Sequence, residues 1–454
     1  MKKVSLVKRA ASLALISTFV ASLTSCGANT TLNPELSLDN MDNNVLAQAK
    51  KASKHGTKWT LLVHLAGDNN LYTAGLDDIN EMEAGLSSPD VNVVVLFDGA
   101  KQGDSAVYEI TPDKSYDKNI ISEKIANTGL IPANNEIDSG DPKLMAKFLD
   151  WGTKNFPADH TGVIVWNHGS GLFRNGKSGE ILRPKNAPKE AGNVTTNGFA
   201  WDDNGGHMNM KDLNPILGPV VQNIGKKIDM LDFDACLMAH VEAAYQVKDT
   251  VDYLVASEKT EPGDGNDYDA MLKALSAKPD MSGADFSKVM VQTYGKSYEP
   301  GGSQGQNSVT LSAVDVNAVT TGLVPALNEF STSLVSSMSS VKPSLVAARS
   351  KTEVYENRDS ADLGHFLSLL GKDANVSGDL QSKAAAVNSA LTKAVIAETH
   401  SGKPARGGVS NATGLVMYFP PAGYSINPKY LNPAEILFAE QQPWTSFLKE
   451  FVKK

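Results

Sequence analysis

From Trp59 onward the chain repeats one pattern, a short unbroken apolar run followed by a segment with helical spacing. Trp59–Leu65 (WTLLVHL), Val91–Phe97 (VNVVVLF), Gly162–Trp166 (GVIVW), Ile228–Phe233 (IDMLDF) and Val251–Ala256 read as strands. Runs that are apolar at successive positions, not alternate ones, mark strands covered on both faces. Between them, Asp68-Asn69-Asn70 can cap a helix over 71–84, and Asp141-Pro142 is an N-cap followed by an N1 proline. Leu237–Val247 reads as a further helix. Strands alternating with helices pair in parallel through right-handed crossovers. The fold class predicted is α/β: an open, mostly parallel sheet with helices on both faces over 58–315, then a smaller, mainly helical part over 316–454. Within that part, 317–400 reads as helical and Val409–Pro420 returns to a strand. Phe438, Trp444, Phe447 and Leu448 supply packing groups near the end of the chain.

Sites in open α/β sheets lie beyond the carboxyl ends of the strands. Two such ends carry chemistry. One strand runs into Asn167-His168-Gly169-Ser170-Gly171, another into Asp232-Phe233-Asp234-Ala235-Cys236. A lone histidine is more often structural than catalytic, and a lone cysteine is more often a small buried hydrophobe. Together at one sheet edge they favour a Cys/His nucleophile pair. Cys236 attacks an acyl carbon, and His168 assists the thiol and protonates the leaving amine. A helix starting at Cys236 would lower the thiol pKa. Gly169 and Cys236 offer backbone N–H groups for an oxyanion. His240, on the same helix face as Cys236 if the helix begins there, and His64, inside the first strand, are weaker candidates for the base.

The N-terminus reads MKKVSLVKRAASLALISTFVASLTSC. A basic start, a short apolar stretch and small residues before Cys26 resemble a bacterial lipoprotein signal. Residues 1–25 are then removed, Cys26 is acylated, and Cys236 is left as the free thiol of the two cysteines. Residues 26–57 read as a polar tether. The anchor places the protein in the cell envelope, at the outer membrane of a two-membrane cell, because Gly27 follows the cysteine where an inner-membrane protein would carry Asp. Lys+Arg of 42 against Asp+Glu of 51 gives a net charge of −9, which argues against nucleic acid as a partner.

Four segments, WTLLVHLAGDNNL (59–71), VIVWNHGSGL (163–172), DFDACLMAHVEAAY (232–245) and ASEKTEPGDGNDYDAML (256–272), resemble the clostripain family of caspase-like cysteine peptidases. The closing ATGLVMYFP (412–420) and the tail around Trp444 fit the same resemblance. It implies a caspase-like fold and hydrolysis of peptide bonds, with His168 and Cys236 as the dyad. It also implies cleavage after Arg or Lys in an acidic pocket, at the matching positions Asp234 and Asp264. Strand spacing independently puts Asp234 near the thiol. The other class of function open to the chain is a catalytically silent surface lipoprotein that binds peptides or a protein partner.

Two further expectations concern loops. The Gly/Pro-broken stretch Arg174–Gly198 is a predicted self-cleavage loop, cut after Arg174, Lys177, Arg183, Lys185 or Lys189. Asp202-Asp203-Asn204 with His207 has oxygen ligands that suit calcium, yet lacks EF-hand spacing, so a solvated acidic loop is expected and no metal is assigned.

Overall fold

The computed structural model describes residues 57–114, 119–173, 198–401 and 409–453. Cys26 and the five basic residues of the predicted cleavage loop lie outside the described residues. Among the described residues, nine strands form one sheet in the order β10-β8-β7-β6-β5-β1-β2-β3-β4. β1 (Thr57–Gly67), β2 (Val91–Gly99), β5 (Ala158–Trp166), β6 (Ile228–Asp234) and β7 (Val251–Ala256) are its parallel centre. β3 (Ala106–Glu109), β4 (Glu123–Lys124), β8 (Val309–Asp315) and β10 (Val395–Ser401) are antiparallel edges.

β1 shows why the apolar runs are unbroken. Its Leu62 and Ala66 enter one hydrophobic core, while Trp59, Leu61, Val63 and Leu65 enter a second on the opposite face. His64, on the first of these faces, is fully buried and bonded to the Ser139 carbonyl at 2.7 Å, and burial lowers its pKa to about 4. It is a core residue.

Helices α1 (Tyr72–Gly85), α2 (Pro142–Asn155), α3 (Leu213–Ile224), α4 (Val241–Gln246), α5 (Tyr268–Ala277) and α6 (Gly283–Ser297) connect the strands. The Asp141 carboxylate caps α2 through Lys143 N–H, with Pro142 at the first turn. Helices α7 (Val324–Ser336), α8 (Met338–Lys351), α9 (Leu363–Gly371), α10 (Gly378–Ala394) and α11 (Gln442–Phe451) follow. Buried Phe438, Trp444, Phe447 and Leu448 join the first core, as their spacing predicts.

Three local expectations need correction. The residues after β6 turn instead of entering a helix, and α4 starts only at Val241. The stretch 317–400 is interrupted by β9 (Ser360–Asp362) and ends in β10, which pairs with β8. Only Val416–Tyr418 of the predicted final strand is a strand, β11, and it pairs with β9.

β2 lies on one side of β1 and β5 on the other, so the connections leaving the carboxyl ends of β1 and β5 diverge. That divergence opens a crevice, which β6 continues.

Candidate active site

Three loops meet there: residues 68–71 after β1, 167–173 after β5 and 235–240 after β6. Asparagine amides hold them together. Asn69 Nδ2 donates to the Ala66 and Trp201 carbonyls, both at 3.0 Å, and Asn167 Nδ2 donates to the same two. Asn167 Oδ1 accepts the Trp201 N–H at 2.8 Å. His168 projects from this frame, its ring 5.8 Å from that of Trp201. Its Nε2–H donates to Asn70 Oδ1 at 3.0 Å. The predicted Asp68-Asn69-Asn70 cap is not made, since no side chain caps α1. Asn69 Oδ1 instead takes the Leu71 N–H, which leaves Asn70 for the histidine.

Cys236 sits in the turn that follows β6. Leu237, the next residue, has φ = +66°, a conformation that costs a branched side chain energy and persists where surroundings enforce it. The enforcement is tertiary: Leu237 N–H donates to Lys259 O at 3.0 Å and Ala239 N–H to Ser257 O at 2.9 Å. The sulfur lies against a second turn, where it accepts the Glu261 N–H at 3.3 Å. Burial, followed by the charges of Glu261 and Glu356, pushes the thiol up to about 12. The Glu261 and Gly169 N–H groups act in the opposite direction. Among the described residues no helix begins at the cysteine, since α4 starts at Val241, and its pKa is raised, not lowered as expected. His240 is likewise not one helical turn beyond it. It occupies the N-cap position of α4, buried, with Nδ1 3.6 Å from Glu242.

Gly169 lies on the Cys236 backbone. A Cβ there would stand 2.2 Å from Cys236 O. Gly169→Ala is therefore expected to cost about 1–3 kcal/mol of stability, measured by denaturant unfolding, because main chain must move.

His168, Cys236 and Asp234 all line one cavity of about 560 Å³. Asp234 is buried, with Oδ2 accepting Tyr268 O–H at 2.8 Å and Asn266 N–H at 3.3 Å. Burial raises its pKa to about 6. Gly265, at φ = +51°, lets the loop reach that carboxylate, since a Cβ there would lie 2.7 Å from Oδ1. Asp78 and Asp232, both buried, also rise because of burial and the Asp234 charge. No Lys or Arg is among the described residues lining the cavity.

Asp264 is not brought into that lining. It is exposed at the tip of the loop, although its charge reaches Asp78 and Tyr298. Sequence reasoning passed over Glu261, Glu356 and Asn357, which do line the cavity. Glu356 pairs with Lys259 and accepts Thr260 Oγ1 at 3.0 Å, while Asn357 Nδ2 donates to Phe173 O at 2.6 Å. The acidic corner at Asp202 is knit internally: Asp202 accepts Ser139 N–H at 2.9 Å, and Asn204 Nδ2 donates to Asp68 at 2.8 Å.

The family model described as the clostripain family matches residues 63–451. Clostripain from Hathewaya histolytica is 30% identical over 265 residues, covering 53% of this chain and 47% of that protein. The chain thus spans about half the length of that relative. A secreted C11 cysteine protease from Bacteroides thetaiotaomicron, solved with an irreversible peptide inhibitor, superposes with a TM-score of 0.59 at 20% identity over 87% of this chain and 99% of that one. An inactive zymogen C11 protease from Parabacteroides distasonis gives 0.55 at 16% identity, over 88% of this chain and 99% of that one. Those two likenesses concern the fold, a mostly parallel sheet flanked by helices as in caspase-like proteases. With its sheet, its strand-end His and Cys, and the family match over nearly all described residues, the chain belongs to the clostripain family.

Proposed function

We propose that the chain is a cysteine endopeptidase that cleaves after Arg or Lys, with Cys236 as nucleophile and His168 as general base and acid. One observation carries this reading: a thiol and an imidazole share a cavity with a buried carboxylate, and among the described residues no cation lines it. Asn70 holds the proton on Nε2, which makes Nδ1 the basic nitrogen of His168. The resting thiol is protonated, so its proton passes to His168 as the sulfur attacks the scissile carbonyl. The same proton then goes to the departing amine, and water hydrolyses the thioester. The Gly169 N–H, which favours the thiolate, and the Cys236 N–H are the oxyanion donors. The substrate's basic side chain enters beside Asp234 and supplies the missing cation.

Profiling with a peptide library varied at the residue before the cut tests the specificity. Arg and Lys are expected to dominate, and a preference for acidic or apolar residues there would overturn the reading.

The protein is exported and held to the membrane by acyl chains on Cys26. No described helix is long and apolar enough to cross a membrane. Radiolabelled palmitate is expected in the wild type and absent from Cys26→Ser. Label retained in that variant would refute the anchor.

A further inference from the structure

We propose that Glu356 and Asn357 are positioning residues, a clamp by which the C-terminal part of the chain holds the nucleophile turn and the histidine loop at a fixed separation. The inference rests on the Cys236/His168 dyad proposed above. The two neighbours line the cavity and bind different loops. The Glu356 carboxylate pairs with Lys259 Nζ, and it accepts Thr260 Oγ1–H at 3.0 Å and Thr260 N–H at 3.2 Å. Between those two grips lies Lys259 O. It takes the Leu237 N–H at 3.0 Å and so holds the positive-φ turn after Cys236. Just beyond them, Glu261 N–H donates to Cys236 Sγ at 3.3 Å. Asn357, which is buried, serves the other side. Its Nδ2 donates to Phe173 O at 2.6 Å, at the end of the loop that carries His168.

A clamp needs a stiff base. Asp362 N–H donates to Glu353 O at 3.0 Å and closes the neck of the loop that carries both residues. Inside that loop, Asn357 Oδ1 accepts the Asp359 N–H and Asn357 O accepts the Ser360 N–H, both at 3.1 Å. Buried Arg349 of α8 donates to the carbonyls of Arg358 at 2.5 Å and Phe419 at 2.6 Å. The sheet leaves this work to be done. The β5–β6 register ends at Trp166 opposite Asp234, two residues before each catalytic side chain, so contacts outside the sheet set the final approach. Proton transfer needs the imidazole and the sulfur within hydrogen-bond reach, and a displacement of about 1 Å can cost about 100-fold. Electrostatics does not account for Glu356. Behind burial and the Glu261 charge, its own charge adds to the rise of the thiol pKa, which opposes the thiolate. What it brings to the nucleophile is its grip on the turn.

The test uses the full chain and two peptides that differ only in Arg or citrulline before the cut. Citrulline keeps the shape and loses the charge. Glu356→Gln keeps the size of the side chain and removes the ion pair with Lys259. Asn357→Asp keeps the Oδ1 acceptor and removes the donor to Phe173. Each is expected to lower kcat on the Arg peptide by about 10- to 100-fold, with KM held within about twofold. The Arg-over-citrulline ratio of kcat/KM should not change, because the clamp places the dyad and does not read the cation. Opening either side releases the clamp, so the double variant should fall no more than about threefold below the worse single. An unchanged kcat in either single overturns the proposal. So does a double variant whose loss is the product of the two, a loss carried by KM, or a loss confined to the Arg peptide. Turnover that survives in Cys236→Ala sinks the dyad itself, a separate failure. Should a variant not fold, Lys259→Met replaces Glu356→Gln and Asn357→Ala replaces Asn357→Asp, with the same expected result and the same overturning ones.

Discussion

Cys236→Ala is expected to reduce kcat on an Arg peptide by about 10⁴-fold or more, and His168→Ala by roughly 10²–10⁴-fold. The loss is larger for the cysteine because no other described thiol can form the acyl-enzyme. Removing the imidazole leaves a thiol that must shed its proton unaided, from a site where burial pushes its pKa to about 12. The variants should fold. Both residues line a cavity, and the turn bearing Cys236 is held by the Leu237 and Ala239 backbone bonds, which neither substitution touches. Turnover of a fluorogenic peptide, read beside thermal unfolding, separates lost chemistry from lost structure. Wild-type turnover in either variant would remove the dyad. The high thiol pKa has its own signature. Alkylation of the resting enzyme by iodoacetamide should keep accelerating from pH 7 to 10, where a preformed thiolate would already have reached a plateau.

The central strands were legible because burial on both faces leaves few positions for polar residues. β1 feeds two cores from alternate side chains, so its sequence is apolar almost throughout. The placement of His168 and Cys236 followed from where such strands end. Less legible was anything decided by contacts distant in sequence. Residues 237–240 have helix-compatible side chains, yet their backbone is claimed by Lys259, Ser257 and Val416, and the segment turns. β10 continues an Ala-rich helix in sequence, but its partner β8 lies about eighty positions earlier. The same limit separates Asp264 from Glu261. They are three residues apart in one turn, and only the path of the loop past Asp234 sends one carboxylate inward and leaves the other in solvent. Asn70 was legible as a capping residue type, but its real partner, His168, comes from another loop.

Asp234→Asn is expected to lower kcat/KM for Arg peptides by roughly 10- to 150-fold, since a buried charge-assisted pair contributes about 1.5–3 kcal/mol. The amide keeps the size of the carboxylate and can still accept from Tyr268 O–H, so the loop and the turn before Cys236 should stay in place. The loss should therefore fall mainly on KM, with citrulline peptides little affected. The wild type should show the same effect through pH. The free-enzyme pKa of Asp234 is about 6, raised by burial. As pH falls through 6 the carboxyl gains a proton and loses the charge that attracts guanidinium, while above 6 that charge is present. For Arg peptides kcat/KM should thus fall on the acid side of about pH 6, and the fall should be shallower for citrulline peptides. In Asp234→Asn the acid limb specific to Arg should flatten, because the titrating group is gone. Identical acid limbs for Arg and citrulline in the wild type, with Arg cleavage intact in Asp234→Asn, would show that the cation is held elsewhere.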